Sequence, residues 1–160
     1  MSEKIRELVA LIRAHRRRLE AVYRSMEGAL DGEIAQLGRT PISALIVAGL
    51  LENYYTCLET IYLRISQSFE NSLDPARWHH DLLQKMTLEI EGVRTAAVSQ
   101  ETFCPLFELL KFRHFKRYYF ELEYDWDRLD FLVKKLRQAH PLVTRDLERF
   151  VRFAGAIDQL

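Results

Sequence analysis

Residues 41–69 read PISALIVAGLLENYYTCLETIYLRISQSF, and the fold class follows from the apolar pattern of this segment. Its apolar side chains recur at steps of three and four residues, which is the period of one face of an α-helix. The positions are Ile42, Leu45, Ile46, Leu50, Tyr54, Cys57, Leu58, Ile61, Tyr62, Ile65 and Phe69. Thr40 is a good N-cap, and Pro41 suits the first helical position. The breadth of the apolar face predicts that this is the central, most buried helix of the protein.

The preceding segment carries a narrower apolar seam, which predicts a long first helix. The seam consists of Ile5, Leu8, Ile12, His15, Leu19, Val22, Met26 and Ala29. A partner helix should lie along it, because the seam repeats over several turns. For His15, a packed histidine that bonds a neighbour is favoured over a catalytic one. The pattern loosens between Gly32 and Gly38.

Downstream helix starts are marked by short polar residues that suit the N-cap position. They are Asp74 before Pro75, Ser99 and Asp125. The first opens a short helix that ends near Met86, and residues 88–98 have no clear period and predict a loop. We expect Pro105 to kink the fourth helix or delay its start, and Pro141 to end the fifth helix or bend it into a last one.

Helical period throughout and a scarcity of turn residues predict an all-α fold. The chain of 160 residues is 48% apolar and 29% charged, with six glycines and four prolines. This is ordinary globular composition. We expect a single domain over residues 1–160, built as an up-and-down bundle of about five or six helices.

Composition also indicates the cellular compartment and the kinds of partner that we expect. The formal net charge is zero, so any anion binding must come from local clustering of charge. The N-terminus is charged, unlike a secretory leader, and no uncharged apolar run approaches the ~18 residues of a membrane span. Cys57 and Cys104 lie in helical patterns outside any C-x-x-C arrangement, which predicts reduced thiols. We therefore expect a soluble cytoplasmic protein with no membrane contact and no cofactor.

The sequence WHHD at positions 78–81 contains two potential metal ligands. Adjacent side chains on a helix point about 100° apart, so His79 and His80 cannot both face one ion. No second group of His or Cys stands nearby at ligand spacing. We expect no metal site.

The run RAHRRR at positions 13–18 is the most basic segment of the first helix. Glu3, Glu7 and Glu20 lie beside it in sequence. A solvated helix face is therefore favoured over an anion-binding site.

Residues 106–122 separate into two stripes when they are placed at 100° per residue. The stripe expected to face the core contains Leu109, Phe112, Phe115, Tyr119 and Leu122. The roughly opposite stripe contains Leu106, Leu110, Arg113, Arg117 and Phe120. Arg113 and Arg117 are one turn apart and repel, and their apolar neighbours desolvate them, so they need an anionic partner. Residue chemistry favours equally a phosphate and a carboxylate from a neighbouring helix or a second subunit.

The second stripe also predicts oligomerisation. Its apolar residues are too many to leave in water, so we expect it to pack against its symmetry mate in a homodimer. Lys111, His114 and Lys116 add positive charge to the same segment.

The stretch FRHFKRYYFELEYDWDR at positions 112–128 resembles the HEPN superfamily, in particular the HepT-like toxins of bacterial toxin–antitoxin modules. It is similar to a branch whose motif helix reads Phe-Arg-His-x-x-Arg-His-x-Tyr. Weaker similarity extends over residues 41–155, including NYYTCLETI at 53–61 and WHHDLL at 78–83. The resemblance implies a dimeric helical bundle and metal-independent RNA cleavage. An Arg-x4–6-His motif from each subunit meets its mate at the dimer interface.

The resemblance assigns roles by position, and two positions depart from the family pattern. Arg113 aligns with the arginine that holds the scissile phosphate. Tyr118 aligns with the histidine that helps the ribose 2′-hydroxyl attack, and tyrosine, with a reference pKa near 10, is a poor base at neutral pH. Phe120 aligns with the tyrosine that a partner nucleotidyltransferase can modify with adenylate, and it has no hydroxyl. The catalytic pair is therefore broken, while Arg113, His114, Lys116 and Arg117 are candidates for binding phosphate or RNA.

Three functional hypotheses follow. The first is a HepT-like protein of a toxin–antitoxin or defence module that binds RNA or protein and has lost or weak ribonuclease activity. The second is an active metal-independent endoribonuclease that uses His114 or Tyr118. The third is a structural dimeric adaptor in which Arg113 and Arg117 only pair with carboxylates. The expected partners are a second copy of the chain, a nucleotidyltransferase-type antitoxin, and RNA.

Overall fold

The computed structural model describes residues 3–70, 78–118 and 123–157, and the side chains of residues 78–80 and 117–118 lie outside that description. Six helices follow one another within these ranges: α1 (Glu3–Asp31), α2 (Glu33–Leu37), α3 (Pro41–Phe69), α4 (Trp78–Met86), α5 (Gln100–Tyr118) and α6 (Trp126–Ile157). Within the described ranges there is no strand, only an isolated bridge between Ile90 and Arg94. The predicted all-α fold is confirmed.

Helix α3 lies at the centre, as predicted, and contacts α1, α4, α5 and α6. Its buried residues include Tyr54, Tyr55 and Tyr62. The prediction for its first two turns is wrong. Ile42, Leu45 and Ile46 are 71%, 38% and 43% exposed, and the neighbouring Ser43, Ala44, Val47 and Ala48 are buried instead. Because residues 42–50 are apolar on nearly every side, their spacing did not fix which side faces the core.

The seam on α1 packs against α3 and α6, which confirms the predicted partner helix. Ile12, Leu19 and Met26 are fully buried. His15 is half-buried and its Nδ1 lies 3.1 Å from the Leu11 carbonyl oxygen, in agreement with the packed interpretation. None of the helices in the described ranges combines the length and apolarity needed to cross a bilayer.

The predicted caps at Thr40, Ser99 and Asp125 are confirmed. Thr40 Oγ1 accepts from Ser43 N at 3.1 Å, Ser99 Oγ from Thr102 N at 3.3 Å and Asp125 Oδ1 from Asp127 N at 3.0 Å. The predicted cap at Asp74 lies outside the described residues.

Pro105 and Pro141 interrupt their helices less than the sequence predicted. Helix α5 begins at Gln100, ahead of Pro105, and α6 continues past Pro141 to Ile157. The expectation of a delayed start or a separate last helix is therefore wrong. Pro141 lies on the exposed side of α6, where water can solvate the carbonyl that loses its helical donor.

The start of α5 is fixed from α6 by Asp146, which is 1% exposed. Asp146 Oδ2 accepts hydrogen bonds from Ser99 N at 2.8 Å and Thr102 Oγ1 at 2.7 Å. Burial alone raises the pKa of this carboxyl, but the hydrogen bonds from Ser99 and Thr102 outweigh it and hold the pKa below its ordinary value. Asp146 thus anchors the helix that carries the candidate site.

Candidate functional site

The candidate site lies where α5 packs against α3, and its centre is Arg113. This residue is only 8% exposed. Its Nη2 lies 2.9 Å from Glu59 Oε1 and its Nη1 lies 3.2 Å from Glu59 Oε2. Its Nε donates to Thr56 Oγ1 at 3.1 Å. The guanidinium therefore binds Glu59 through two parallel hydrogen bonds, the strongest geometry that this pair can adopt.

A second ion pair lies one turn after Arg113 on α5 and two turns before Glu59 on α3. Lys116 Nζ, on α5, contacts Glu52 Oε2, on α3. Because helical neighbours on one face recur every three or four residues, Glu52, Thr56 and Glu59 share the side of α3 that meets Arg113 and Lys116. Two cations on α5 thus face two carboxylates on α3.

The sequence alone did not lead us to Glu52, Thr56 and Glu59 as parts of this site. Glu59 is only 4% exposed, although its side chain is charged. A buried charge of that kind needs a partner of opposite sign. The signal was available in the spacing of Glu52, Thr56 and Glu59, since three polar residues on one face of the central helix indicate a polar contact with a neighbour.

The remaining predicted site residues are placed only in part. His114 follows Arg113 on α5 and its side chain is exposed. Arg117 and Tyr118 form the last residues of α5, with side chains outside the description, and Phe120 lies outside the described residues. Of the three family motif positions, the structure therefore places the side chain of Arg113 alone.

The described side chains of the second stripe of α5 are already buried within one chain, so they need no second copy to cover them. The homodimer stays a prediction. Leu106 and Leu110 are 0% and 4% exposed within one chain. Leu110 lies one turn and Leu106 two turns before Arg113 on the same face of α5. Arg113 itself contacts α3. The stripe expected to face the core, with Leu109 and Phe112, is buried as well. Both sides of α5 are covered because it packs against both α3 and α6.

This arrangement limits what Arg113 can do chemically. Glu59 already occupies the guanidinium face that a phosphate would use, so an anion must displace a buried carboxylate in order to bind there. Among Arg113, Glu59 and Thr56, Thr56 alone is exposed to solvent. The geometry is that of a pair that holds two helices together.

A separate polar cluster joins α1, α3 and α6. Tyr54 Oη lies 2.9 Å from His140 Nδ1, and His140 Nε2 lies 2.7 Å from Glu20 Oε2. Tyr23 stacks on the imidazole with ring centroids 4.0 Å apart. Hydrogen bonds from Arg24 and His140 hold the pKa of the Glu20 carboxyl below its ordinary value. Burial raises the pKa of the Tyr54 hydroxyl far above the ordinary value for tyrosine. Tyr54 is fully buried, so this cluster ties three helices without exposing a reactive hydroxyl.

Comparison with known families identifies the chain. A family model described as HepT-like protein matches residues 46–154, which is more than half of the chain and runs from α3 into α6. Neither the curated proteins nor the solved structures contain a match. The matched range includes the whole of α5 with Arg113, and it leaves out α1. The chain belongs to the HepT-like protein family.

Proposed function

We propose that this HepT-like protein acts in a toxin–antitoxin or defence module by binding RNA, with little or no ribonuclease activity. One observation carries the loss of ribonuclease activity in this proposal. The guanidinium of Arg113, at the position where the family holds the scissile phosphate, is buried and engaged by Glu59 and Thr56.

This chain meets two requirements for RNA cleavage poorly: a base for the 2′-hydroxyl and a free cation for the phosphate. Attack by the 2′-hydroxyl needs a base with a pKa near the working pH, and tyrosine lies about three units above neutral at its reference value. It also needs a cation on the phosphate, and Arg113 reaches one only after Glu59 has moved. Either change alone lowers the rate, and both act on the same step.

The partner nucleotidyltransferase would have to act differently here from its role in the family. Its target in the family is a motif tyrosine, and Phe120 has no hydroxyl to receive an adenylate. A partner of this kind would regulate this chain by binding alone.

Cleavage of a mixed RNA substrate in the presence of a chelator tests the proposal. We expect almost no cleavage by the native protein. Tyr118→His should raise it about tenfold, well below the 10²–10⁴ that a positioned base contributes, because Glu59 still holds Arg113. Adding Glu59→Gln to Tyr118→His should raise it further. Strong native cleavage that His114→Ala abolishes would identify an active ribonuclease and overturn the proposal.

A second candidate function, the structural adaptor, is favoured by the same ion pair. Arg113 is paired with Glu59 of its own chain, so its burial needs no nucleic acid. Absence of RNA binding by the native protein at low salt would select the adaptor.

We further propose that the exposed face of α3 forms the homodimer contact. Ile42, Leu45, Ile46 and Gly49 share this face and carry no charge, so two copies can meet there without burying like charges. Thr56 lies on the same face two to three turns further along. A two-fold contact that extends along this face as far as Thr56 would bring the two Thr56–Arg113 sites towards each other, as the family arrangement requires.

Light scattering at micromolar concentration tests the dimer. We expect a dimer for the native chain and a monomer for Ile42→Asp/Ile46→Asp, because four buried carboxylates would meet across the two-fold axis. Phe131→Asp is the matched control, since Phe131 is 44% exposed on α6, and it should remain dimeric. A monomeric native chain, or a dimer that survives the double substitution, contradicts this interface.

A further inference from the structure

A groove between α1 and α6 gathers most of the basic run at residues 13–18. It has a volume of about 390 Å³ and is lined by Ile12, Arg13, Arg16, Arg17, Glu148, Val151 and Arg152. His15 and Arg18 lie on a different side of α1, where they line a cavity against α3. The three-dimensional structure thus adds an arginine from α6 to three from α1.

The charges in this groove are only partly neutralised. Arg16 Nη1 pairs with Glu148 Oε1 at 2.8 Å. Arg13, Arg17 and Arg152 are exposed, and among the described residues they make no ion pair or hydrogen bond. Three guanidinium groups therefore face solvent together in a protein with a formal net charge of zero.

The basic surface continues along α1 beyond the groove. Arg6 and Arg24 stand seven residues before Arg13 and seven after Arg17, and at 100° per residue all four arginines point within about 40° of one another. The row from Arg6 to Arg24 spans about 27 Å of helix. Arg24 is paired with Glu20 and all four side chains are exposed. A single small anion cannot contact a row of this length, whereas a chain of phosphates can.

We infer that the α1–α6 groove binds the phosphate backbone of RNA. Arginine presents a planar fork that matches phosphate oxygens. The described residues that line the groove include no aromatic side chain. They offer no platform for stacking bases, so recognition should be independent of sequence. The inference rests on the proposed RNA-binding role. It places most of the binding arginines on α1, which lies outside the residues that match the family model, and one, Arg152, inside them.

Fluorescence anisotropy of a labelled single-stranded RNA of mixed sequence tests the inference. The variant Arg13→Ala/Arg17→Ala/Arg152→Ala removes three exposed side chains that hold no helix in place. We expect its affinity to fall by at least about tenfold at low salt, and the slope of log affinity against log salt to fall by about two, since each single-strand phosphate contact contributes about 0.7.

A matched control removes the same amount of charge elsewhere. Arg64→Ala/Arg128→Ala/Lys134→Ala takes three exposed cations from α3 and α6 away from the groove, and it should bind RNA within about twofold of the native protein. Circular dichroism should show both triple variants to be folded.

Three outcomes would overturn the inference. If the native protein binds RNA with a steep salt dependence and the groove variant binds equally well, RNA binds elsewhere and only this inference fails. If the native protein binds no RNA at low salt, the proposed function fails with it. If poly-glutamate displaces the RNA at equal charge concentration, the groove is a site for an acidic protein.

Discussion

Replacing Arg113 with Met should lower the free energy of unfolding by about 3 kcal/mol or more, because it takes the guanidinium from a buried carboxylate. Glu59→Met should lower the free energy of unfolding by a similar amount. Arg113 is only 8% exposed, and without Glu59 its remaining described partner is Thr56. Urea denaturation of both variants measures the two losses.

The double variant Arg113→Met/Glu59→Met should lose much less than the sum of the two single losses. Two apolar side chains of similar volume can replace a buried ion pair at little cost, because neither charge then has to be desolvated. The exposed pair Arg39–Asp130, at 2.7 Å, is the control, and its coupling energy should be below about 1 kcal/mol. Additive losses at Arg113 and Glu59 would show that the two side chains do not act as a pair.

This result affects how RNA-binding data on Arg113 are interpreted. A variant that removes Arg113 changes the contact between α3 and α5 as well as any phosphate contact. Loss of binding by Arg113→Met alone is therefore ambiguous, whereas loss by the double variant at near-native stability would assign the effect to the guanidinium.

Asp146→Ala should lower the free energy of unfolding by about 3 kcal/mol at neutral pH. The substitution takes the acceptor from the part-buried Ser99 amide and one of the two partners from the buried Thr102 hydroxyl. It also removes a negative charge from the N-terminus of α5, where the helix dipole favours one. The exposed Asp130 is the control, and Asp130→Ala should cost less than about 1 kcal/mol.

The effect of Asp146 should depend on pH in a defined direction. Its pKa is lowered in the folded protein, so its contribution is complete above the unfolded pKa of about 3.9 and is lost as the pH falls through the folded value. The difference in stability between the native protein and Asp146→Ala should therefore be constant at neutral pH and shrink below about pH 4. A difference that grows on acidification would contradict the assigned hydrogen bonds.

Local signals in the sequence predicted the helices well, because caps and period are properties of neighbouring residues. Thr40, Ser99 and Asp125 each bond an amide two or three residues away. The orientation of the first turns of α3 was not predictable in this way. Ile42 and Val47 are equally apolar, and only the packing of other helices decides which one is buried.

The candidate site was harder to predict because its contacts are distant in sequence. The Arg113 guanidinium was expected to bind an anion, but the choice between a phosphate and a carboxylate depended on Glu59, 54 residues away. The basic run of α1 was likewise interpreted as a solvated face, since Arg152 reaches the same groove only through the packing of α6 on α1.

The pairing of α1 with α6 has a consequence for synthesis on the ribosome. Contacts such as Arg16–Glu148 and Glu20–His140 join residues 132 and 120 positions apart. Helix α1 can dock on α3 early, but its other side stays without a neighbour until α6 has emerged, since domains complete their packing only when the chain supplies the last element. The groove with Arg13, Arg17 and Arg152 therefore does not exist on a partly translated chain. Newly made protein would acquire this cationic surface only after residue 152 has emerged from the ribosome.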